Sequence, residues 1–138
     1  LIVNDAEARE LTALFSLVKA AKAIMKMGPR YLIIKKGEHG ALLFHGDDVF
    51  FAAALPLEDV FDPTGAGDTF AGGFMGHIAR TGDISFENMK LGIIVGSAMA
   101  RFCGEKVGPT RLKEVTKPEI DARIQLFKDL VNFDIELE

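Results

Sequence analysis

Residues 62–73 read DPTGAGDTFAGG, which places four glycines, one proline and two aspartates between apolar segments. A loop that only reverses the chain needs one or two glycines, so this loop indicates that backbone amides closely approach a bound group. The sequence after it predicts a helix over Thr69–Arg80 that begins near Gly67 or Asp68. Unpaired amides at the positive end of a helix suit phosphate oxygens. We therefore expect an anion to bind the amides of Gly65, Ala66, Gly67 and Asp68.

Asp68 is the unexpected residue of this loop, because it places a carboxylate beside donors that suit an anion. A phosphoryl-transfer site needs such a group, since a base must accept the proton of the attacking hydroxyl while nearby amides stabilise the transferring group. The alternative is that Asp68 caps the helix, and the loop alone leaves both open. The loop also lacks the third glycine of GxGxxG and the lysine-serine pair of a Walker loop.

The composition suits one globular domain or a large piece of one. The 138 residues are 49% hydrophobic, and 16 basic against 20 acidic residues give a formal charge of −4. The sequence contains no long run of like charges that would indicate nucleic-acid binding. No segment reaches the ~18 consecutive apolar residues of a membrane span. We expect a cytoplasmic protein that binds a small ligand. The one cysteine, Cys103, has no partner for an internal disulfide and is predicted to be a buried packing thiol.

The order of helical and strand patterns predicts an α/β fold. The glycines at positions 72, 73 and 76 are expected to let their helix pack closely against a neighbour. Three histidines, His39, His45 and His77, lack the spacing of a metal cluster and are expected at packing or surface positions. In chain order, the patterns are a strand end at Leu1–Val3, a helix from about Asp5 to Met27 broken near Thr12–Ser16, strands within 31–54 of which the later ones are antiparallel, the glycine loop and its helix, a buried helix over Ser85–Cys103, and a last helix with its apolar face at Ile120, Ile124, Phe127 and Leu130, opened by a capping box at 116–119.

The stretch DPTGAGDTFAGG resembles the C-terminal signature of the ribokinase family, the PfkB carbohydrate kinases, in which a DTxGAGD-type loop opens a helix. Three more features resemble that family: Asn4-x-x-Glu7 at a strand end, KKGEHG at 35–40, and the small-residue helix with GSAMARF. The resemblance implies a ribokinase-like layered α/β fold with a central sheet and packed helices. Residues 1–138 would be its C-terminal nucleotide-binding and catalytic portion, with the N-terminal substrate and lid portion absent.

The resemblance also implies an activity, ATP-dependent transfer of the γ-phosphate to a hydroxymethyl group of a sugar or nucleoside. Asp68 would be the catalytic base, and the amides of Gly65, Ala66 and Gly67 the anion hole. The nucleotide side is implied to include Asn4, Gly37, Gly40, Gly67, Gly96 and Ser97. Glu7 would help to hold hydrated Mg²⁺, while Asp62 and Thr64 match a monovalent-cation site that takes K⁺.

Several of these assignments have alternatives in the residues themselves. Asn4 and Glu7 also have the spacing of a capping box. Lys35 and Lys36 depart from the threonine and apolar residue usual in the family, so they either contact phosphate or lie in solvent.

Other functions stay open at this point. Without the N-terminal portion, the chain alone is expected to be inactive, and its acceptor is a carbohydrate or, by resemblance to a nucleoside kinase-like subgroup, a nucleoside. A non-catalytic nucleotide-binding module and a fragment that self-associates through apolar surface are the alternatives. The oligomeric state stays open, with a homodimer as one possibility, and no nucleic acid or membrane is expected as partner.

Overall fold

A computed structural model describes residues 1–56, 64–105 and 110–137. The chain forms two compact units, Leu1–Ala54 and Leu55–Glu138. Both contain the elements that the sequence predicts, so the α/β class is confirmed. None of the described helices is long and apolar enough to cross a membrane.

The first unit is a four-stranded sheet with two helices. Strand order is β1-β2-β3-β4, with β1 parallel to β2 and the two later pairs antiparallel. The predicted helix break is confirmed, because Ala13 ends the first helix in a left-handed conformation and Ser16 caps the second. The elements are β1 (Ile2–Asn4), α1 (Asp5–Thr12), α2 (Leu17–Lys26), β2 (Leu32–Lys35), β3 (Ala41–His45) and β4 (Asp48–Ala52).

Strand β2 is apolar on both faces, as the compact run YLIIKKG predicts. Leu32 and Ile34 point to the helices and form a core with apolar residues of α1, α2 and β3. Ile33, on the opposite face, is also buried. Burial on both faces makes β2 the centre of this unit.

The second unit is helical in its described parts. Its elements are α3 (Ala66–Thr81), α4 (Phe86–Gly104), α5 (Thr110–Glu114) and α6 (Lys117–Val131). Ser85 caps α4, and the predicted capping box of α6 is present at Thr116 and Glu119. Phe127 of α6 is buried with Ala98 of α4, while Leu130 on the predicted apolar face is exposed.

Helix α3 approaches α4 through a subset of the predicted glycines. A Cβ on Gly73 would lie 3.0 Å from the Cα of Gly96, and one on Gly96 would lie 2.7 Å from the carbonyl oxygen of Phe70. The same added atom on Gly72 or Gly76 would meet nothing within 4 Å. The expectation of close packing is therefore wrong for Gly72 and Gly76, because they lie on a face of α3 that turns away from the helix contact.

The histidines occupy packing and surface positions, as expected. His77 is buried in α3, and its Nε2 lies 2.9 Å from Oδ1 of Asn88. The ring of His45 stacks on Tyr31 with centroids 4.3 Å apart, and His39 is exposed. Within the described ranges, no three metal-ligating side chains form a group.

Candidate functional site

Among the described residues, no side chain caps the N terminus of α3. Gly65 is the N-cap, with φ 83° and ψ 0°, and no side chain there accepts a hydrogen bond. The first bond of the helix is donated by the Thr69 amide to the Gly65 carbonyl, at 2.9 Å. The three amides before it, at positions 66–68, donate to none of the residues that the structure describes. Their donors point along the helix axis and are available to an anion.

Asp68 is the third residue of α3, and its side chain is exposed. Its carboxylate forms no hydrogen bond or ion pair with a described residue. Gly65, not Asp68, occupies the N-cap position, so the interpretation of Asp68 as the N-cap is wrong. The carboxylate lies within one helical turn of the free amides, which suits a group that accepts a proton beside an anion.

The end of α4 lies behind this turn. The Cys103 thiol donates to the Thr64 carbonyl oxygen at 3.5 Å, and a Cβ on Gly65 would lie 3.8 Å from its sulfur. The predicted burial of Cys103 is confirmed at 4% exposure. The contact with the turn was not foreseen from the sequence.

An ion-pair cluster holds the last residues of α4. Glu105 accepts from Arg111 Nε at 2.8 Å and from Arg123 Nη2, while Arg111 Nη2 also donates to Glu119 at 2.7 Å. Both guanidinium groups lie over the Phe102 ring, at 5.0 and 4.2 Å from its centroid. The cluster therefore joins α4, α5 and α6 at one point.

The charges in this cluster shift the acidity of both carboxyls. Burial raises the pKa of Glu105, but the hydrogen bonds and charges of Arg111 and Arg123 together outweigh it, so the net shift is downward. The hydrogen bond from Arg111 is the largest influence that lowers the pKa of Glu119 to about 2. Sequence reasoning missed this cluster, although the capping box pointed to Glu119.

In the first unit, the predicted residues gather at the carboxyl ends of two parallel strands. Asn4 ends β1 and lies in register with Lys35, which ends β2. A 3₁₀ turn at Gly37–His39 follows β2 directly. The carboxyl ends of parallel strands are where open α/β sheets bind ligands.

Asn4 and Glu7 form the capping box that the alternative interpretation described. Oδ1 of Asn4 accepts from the Glu7 amide at 2.7 Å, and Oε2 of Glu7 accepts from the Asn4 amide at 2.8 Å. Nδ2 of Asn4 and Oε1 of Glu7 have no partner among the described residues. Each side chain therefore caps α1 with one polar atom, and its other polar atom has no partner among the described residues.

The turn after β2 requires its glycines for different reasons. Gly40 has φ 90°, and a Cβ there would lie 2.1 Å from the carbonyl oxygen of Ala52, so no side chain fits. Gly37 has φ 57° and open space around it. Lys35 and Lys36 are half-buried. The packing of Gly40 explains that glycine without a ligand, and its place beside a nucleotide stays a prediction.

Gly96 also has a packing reason, since it is buried against α3. Ser97 is half-buried on the same helix. Their expected position near the nucleotide base stays a prediction.

The expected metal sites fit the structure to different degrees. A single carboxylate such as Glu7, with a free Oε1, suits Mg²⁺, which keeps several waters and takes other ligands from substrate phosphates. Of the two residues expected to bind K⁺, Thr64 is exposed at the turn, whereas Asp62 lies outside the described residues. The K⁺ site therefore stays a prediction.

A comparison with known protein families shows to which family the chain belongs. The model of the pfkB family of carbohydrate kinases matches residues 1–113. The chain belongs to this family. The predicted ribokinase-like fold follows from that membership and agrees with the solved structures below.

Three relatives illustrate the range of the family. The chain is 38% identical to the cytidine kinase of Thermococcus kodakarensis over 79 residues, which cover 56% of this chain and 28% of that one. It is 26% identical to the Salmonella enterica aminoimidazole riboside kinase complexed with aminoimidazole riboside and an ATP analog, with a TM-score of 0.76 over 89% of this chain and 41% of that one. It is 32% identical to a Burkholderia thailandensis nucleoside kinase in complex with inosine, with a TM-score of 0.68 over 91% of this chain and 39% of that one. The chain thus spans less than half the length of each of these proteins.

Proposed function

We propose that the protein containing this chain is an ATP-dependent kinase that phosphorylates a hydroxymethyl group of a nucleoside or sugar. One observation carries the proposal: free amides and an unpaired carboxylate, Asp68, lie within one turn of the same helix terminus. Capping alone does not explain this arrangement, because the N-cap residue is a glycine. Family membership supplies the reaction class.

In the proposed reaction, Asp68 accepts the proton of the acceptor hydroxyl. The hydroxyl oxygen forms a bond to the γ-phosphorus as the bond from that phosphorus to the bridging oxygen breaks, and ADP leaves with the electron pair. The amides of Gly65, Ala66 and Gly67 donate hydrogen bonds to the oxygens of the phosphoryl group during its transfer. Because these donors are already in place, they stabilise the transition state without a rearrangement of the protein. This stabilisation is the main contribution to catalysis expected of this chain.

The nucleotide phosphates are proposed to lie beside β1 and β2. The free Nδ2 of Asn4 would donate to a phosphate oxygen, and Gly37 leaves room for the nucleotide beside the turn. Oε1 of Glu7 would hold Mg²⁺ through water, and a bound Mg²⁺ would neutralise phosphate charge. Gly40 is proposed to border the nucleotide, and Gly96 and Ser97 are proposed to lie near the nucleotide base. Thr64 and Asp62 would hold K⁺.

A nucleoside is the first acceptor to test. Two of the relatives above are named as nucleoside or cytidine kinases, and a third is in complex with a riboside. The family description names carbohydrates, so free sugars form the second set. A homodimer remains part of the proposal without a specific interface.

The test is ADP release by the full-length protein with Mg²⁺-ATP. Cytidine, adenosine, inosine, ribose and fructose are each supplied with and without K⁺. Turnover that depends on one acceptor supports the proposal and gives the substrate class. Binding of ATP without acceptor-dependent turnover would instead favour a nucleotide-binding module.

The Asp68→Asn variant tests the assignment of the base. We expect kcat to fall by about 10²–10⁴-fold, because the variant keeps the shape but loses the proton acceptor. The dissociation constant for ATP should change by less than about twofold, since Asp68 is not proposed to bind ATP. Asp47→Asn, at an exposed turn between β3 and β4, is the matched control and should leave kcat unchanged. Full activity of Asp68→Asn would remove Asp68 from the mechanism.

A further inference from the structure

The backbone of the turn before α3 sets the direction of the first amides of the helix. Gly65 has a left-handed conformation and no side chain, and glycine has access to many other conformations at little cost. The turn sets the direction of the amides of Ala66 and Gly67, which belong to the proposed anion hole. A group that restrains the Thr64–Gly65 backbone therefore restrains the donors of the proposed anion hole.

We propose that Cys103 is a positioning residue for phosphoryl transfer, because its thiol holds the turn at Thr64–Gly65. This inference rests on the proposed function. The thiol donates to the Thr64 carbonyl oxygen at 3.5 Å. Because Gly65 follows Thr64 directly, this hydrogen bond also limits the movement of the left-handed residue that opens the helix.

The end of α4 gives Cys103 a fixed place. The neighbouring residue, Phe102, is 1% exposed, and the guanidinium groups of Arg111 and Arg123 both lie over its ring. Both arginines pair with Glu105, two residues beyond the cysteine. The residues on either side of Cys103 are therefore held by α5 and α6, and the thiol presents a constant surface to the turn.

A packing role alone predicts a different outcome from a positioning role. If Cys103 only fills space, an alanine costs stability and leaves the chemical step unchanged. If the S–H donor holds the turn, a serine keeps a donor at that position and an alanine does not. The two roles therefore separate on kcat and on rescue by serine.

The experiment compares variants of the full-length protein. Cys103→Ala should lower kcat by about tenfold, less than the ~10²-fold that a misplacement of one ångström can cost, with the KM for ATP within about twofold. Cys103→Ser should recover most of that loss. Ile93→Val, which removes one methyl group from a fully buried position of the same helix, is the packing control and should leave kcat unchanged. Cys103→Val, which lacks a donor, should match the alanine variant and serves if that variant does not fold.

A second readout does not depend on kinase activity. Amide hydrogen exchange of the segment 64–70 should be faster in Cys103→Ala than in wild type or Ile93→Val. If no acceptor is phosphorylated but this difference is present, the proposed function fails and the positioning contact stands. Equal exchange and equal kcat in Cys103→Ala and wild type would overturn the inference. An equal kcat loss in Ile93→Val would also overturn it.

Discussion

The sequence predicts that the N termini of α1 and α3 both contact phosphate groups, but the structure caps only one of them with side chains among the described residues. At α1, Asn4 and Glu7 each accept a hydrogen bond from the other's backbone amide. At α3, no side chain of the described residues caps the helix, and the acid at the third position, Asp68, is exposed. The residues that are expected to bind ligand seal the terminus of α1, whereas the terminus of α3 is open as far as the described residues show.

The conformation of the N-cap residue explains the difference. Asn4 is extended, with φ −90° and ψ 171°, and Thr116 at the start of α6 is similar, with φ −104° and ψ 160°. In both helices, the backbone amide of the N-cap residue donates a hydrogen bond to the glutamate at the third helical position. Gly65 has a left-handed conformation, and the acid that follows is the shorter aspartate. An acid near a helix start is therefore a cap or a free group according to the backbone before it.

In the comparison of the two termini, the largest expected effect comes from closing the open terminus. Gly65→Ser disfavours φ 83° and supplies a hydroxyl that can accept from an amide of the first turn. Because the donors of the anion hole would be turned or occupied, we expect kcat to fall by about 10²–10³-fold. Acceptor-dependent ADP release measures this loss.

The control uses a glycine at the other end of the same helix. Gly82 ends α3 with φ 63° and open space around it. Gly82→Ser should cost about 1–2 kcal/mol of stability through the same backbone strain and should leave kcat unchanged. If both serine variants lose activity equally, strain in α3 and not the closed terminus is the cause.

The second effect tests whether the sealed terminus also binds ligand. Glu7→Gln can still accept from the Asn4 amide, since glutamine also serves in a capping box. Because the charge of Oε1 is lost, we expect the Mg²⁺ concentration needed for half-maximal activity to rise by about tenfold. Thermal unfolding should show less than about 0.5 kcal/mol of change. An unchanged Mg²⁺ requirement would leave Glu7 with the cap alone.

Glu7→Ala separates the two uses of this side chain. It removes both the charge and the cap, so its stability loss should reach about 1 kcal/mol beyond that of Glu7→Gln. The Mg²⁺ requirement of the two variants should be the same. A larger requirement in Glu7→Ala would show that the cap itself positions the ligand.

The sequence was sufficient for those features whose partners lie close along the chain. The glycine loop, the helix after it and the capping boxes at 4–7 and 116–119 all involve neighbours within one helical turn. Each was found from residue type and spacing, because those properties decide local hydrogen bonding.

Contacts between distant segments were not predictable in the same way. Cys103 and Thr64 are 39 positions apart, and no spacing rule links a thiol to a carbonyl over that distance. The glycines of α3 indicate that the helix can pack closely, but they do not indicate which face contacts α4. The prediction of close packing is therefore correct for Gly73 and wrong for Gly76. Whether Asp68 is a cap or a free acid depends on the backbone conformation of Gly65. A glycine permits this left-handed conformation but does not require it.

The smallest effect comes from Glu119, a capping-box glutamate with no proposed ligand. Its pKa is about 2 in the folded chain, against a usual value of 4.5, chiefly because Arg111 donates to it. Above about pH 4.5 this carboxylate is ionised in both states, and its ion pair stabilises the fold in full. As the pH falls towards 2, the unfolded chain takes up the proton first, so that stabilisation is lost. The difference between wild type and Glu119→Gln in urea unfolding should therefore shrink from pH 5 to pH 2.

At neutral pH, Glu119→Gln should leave kcat and the Mg²⁺ requirement unchanged, because of the two termini sealed by a capping box only the one at Glu7 is proposed to hold a ligand. A Mg²⁺ requirement raised equally in both glutamine variants would mean that weakening any glutamate cap disturbs the site, and the distinction between the two sealed termini would fail.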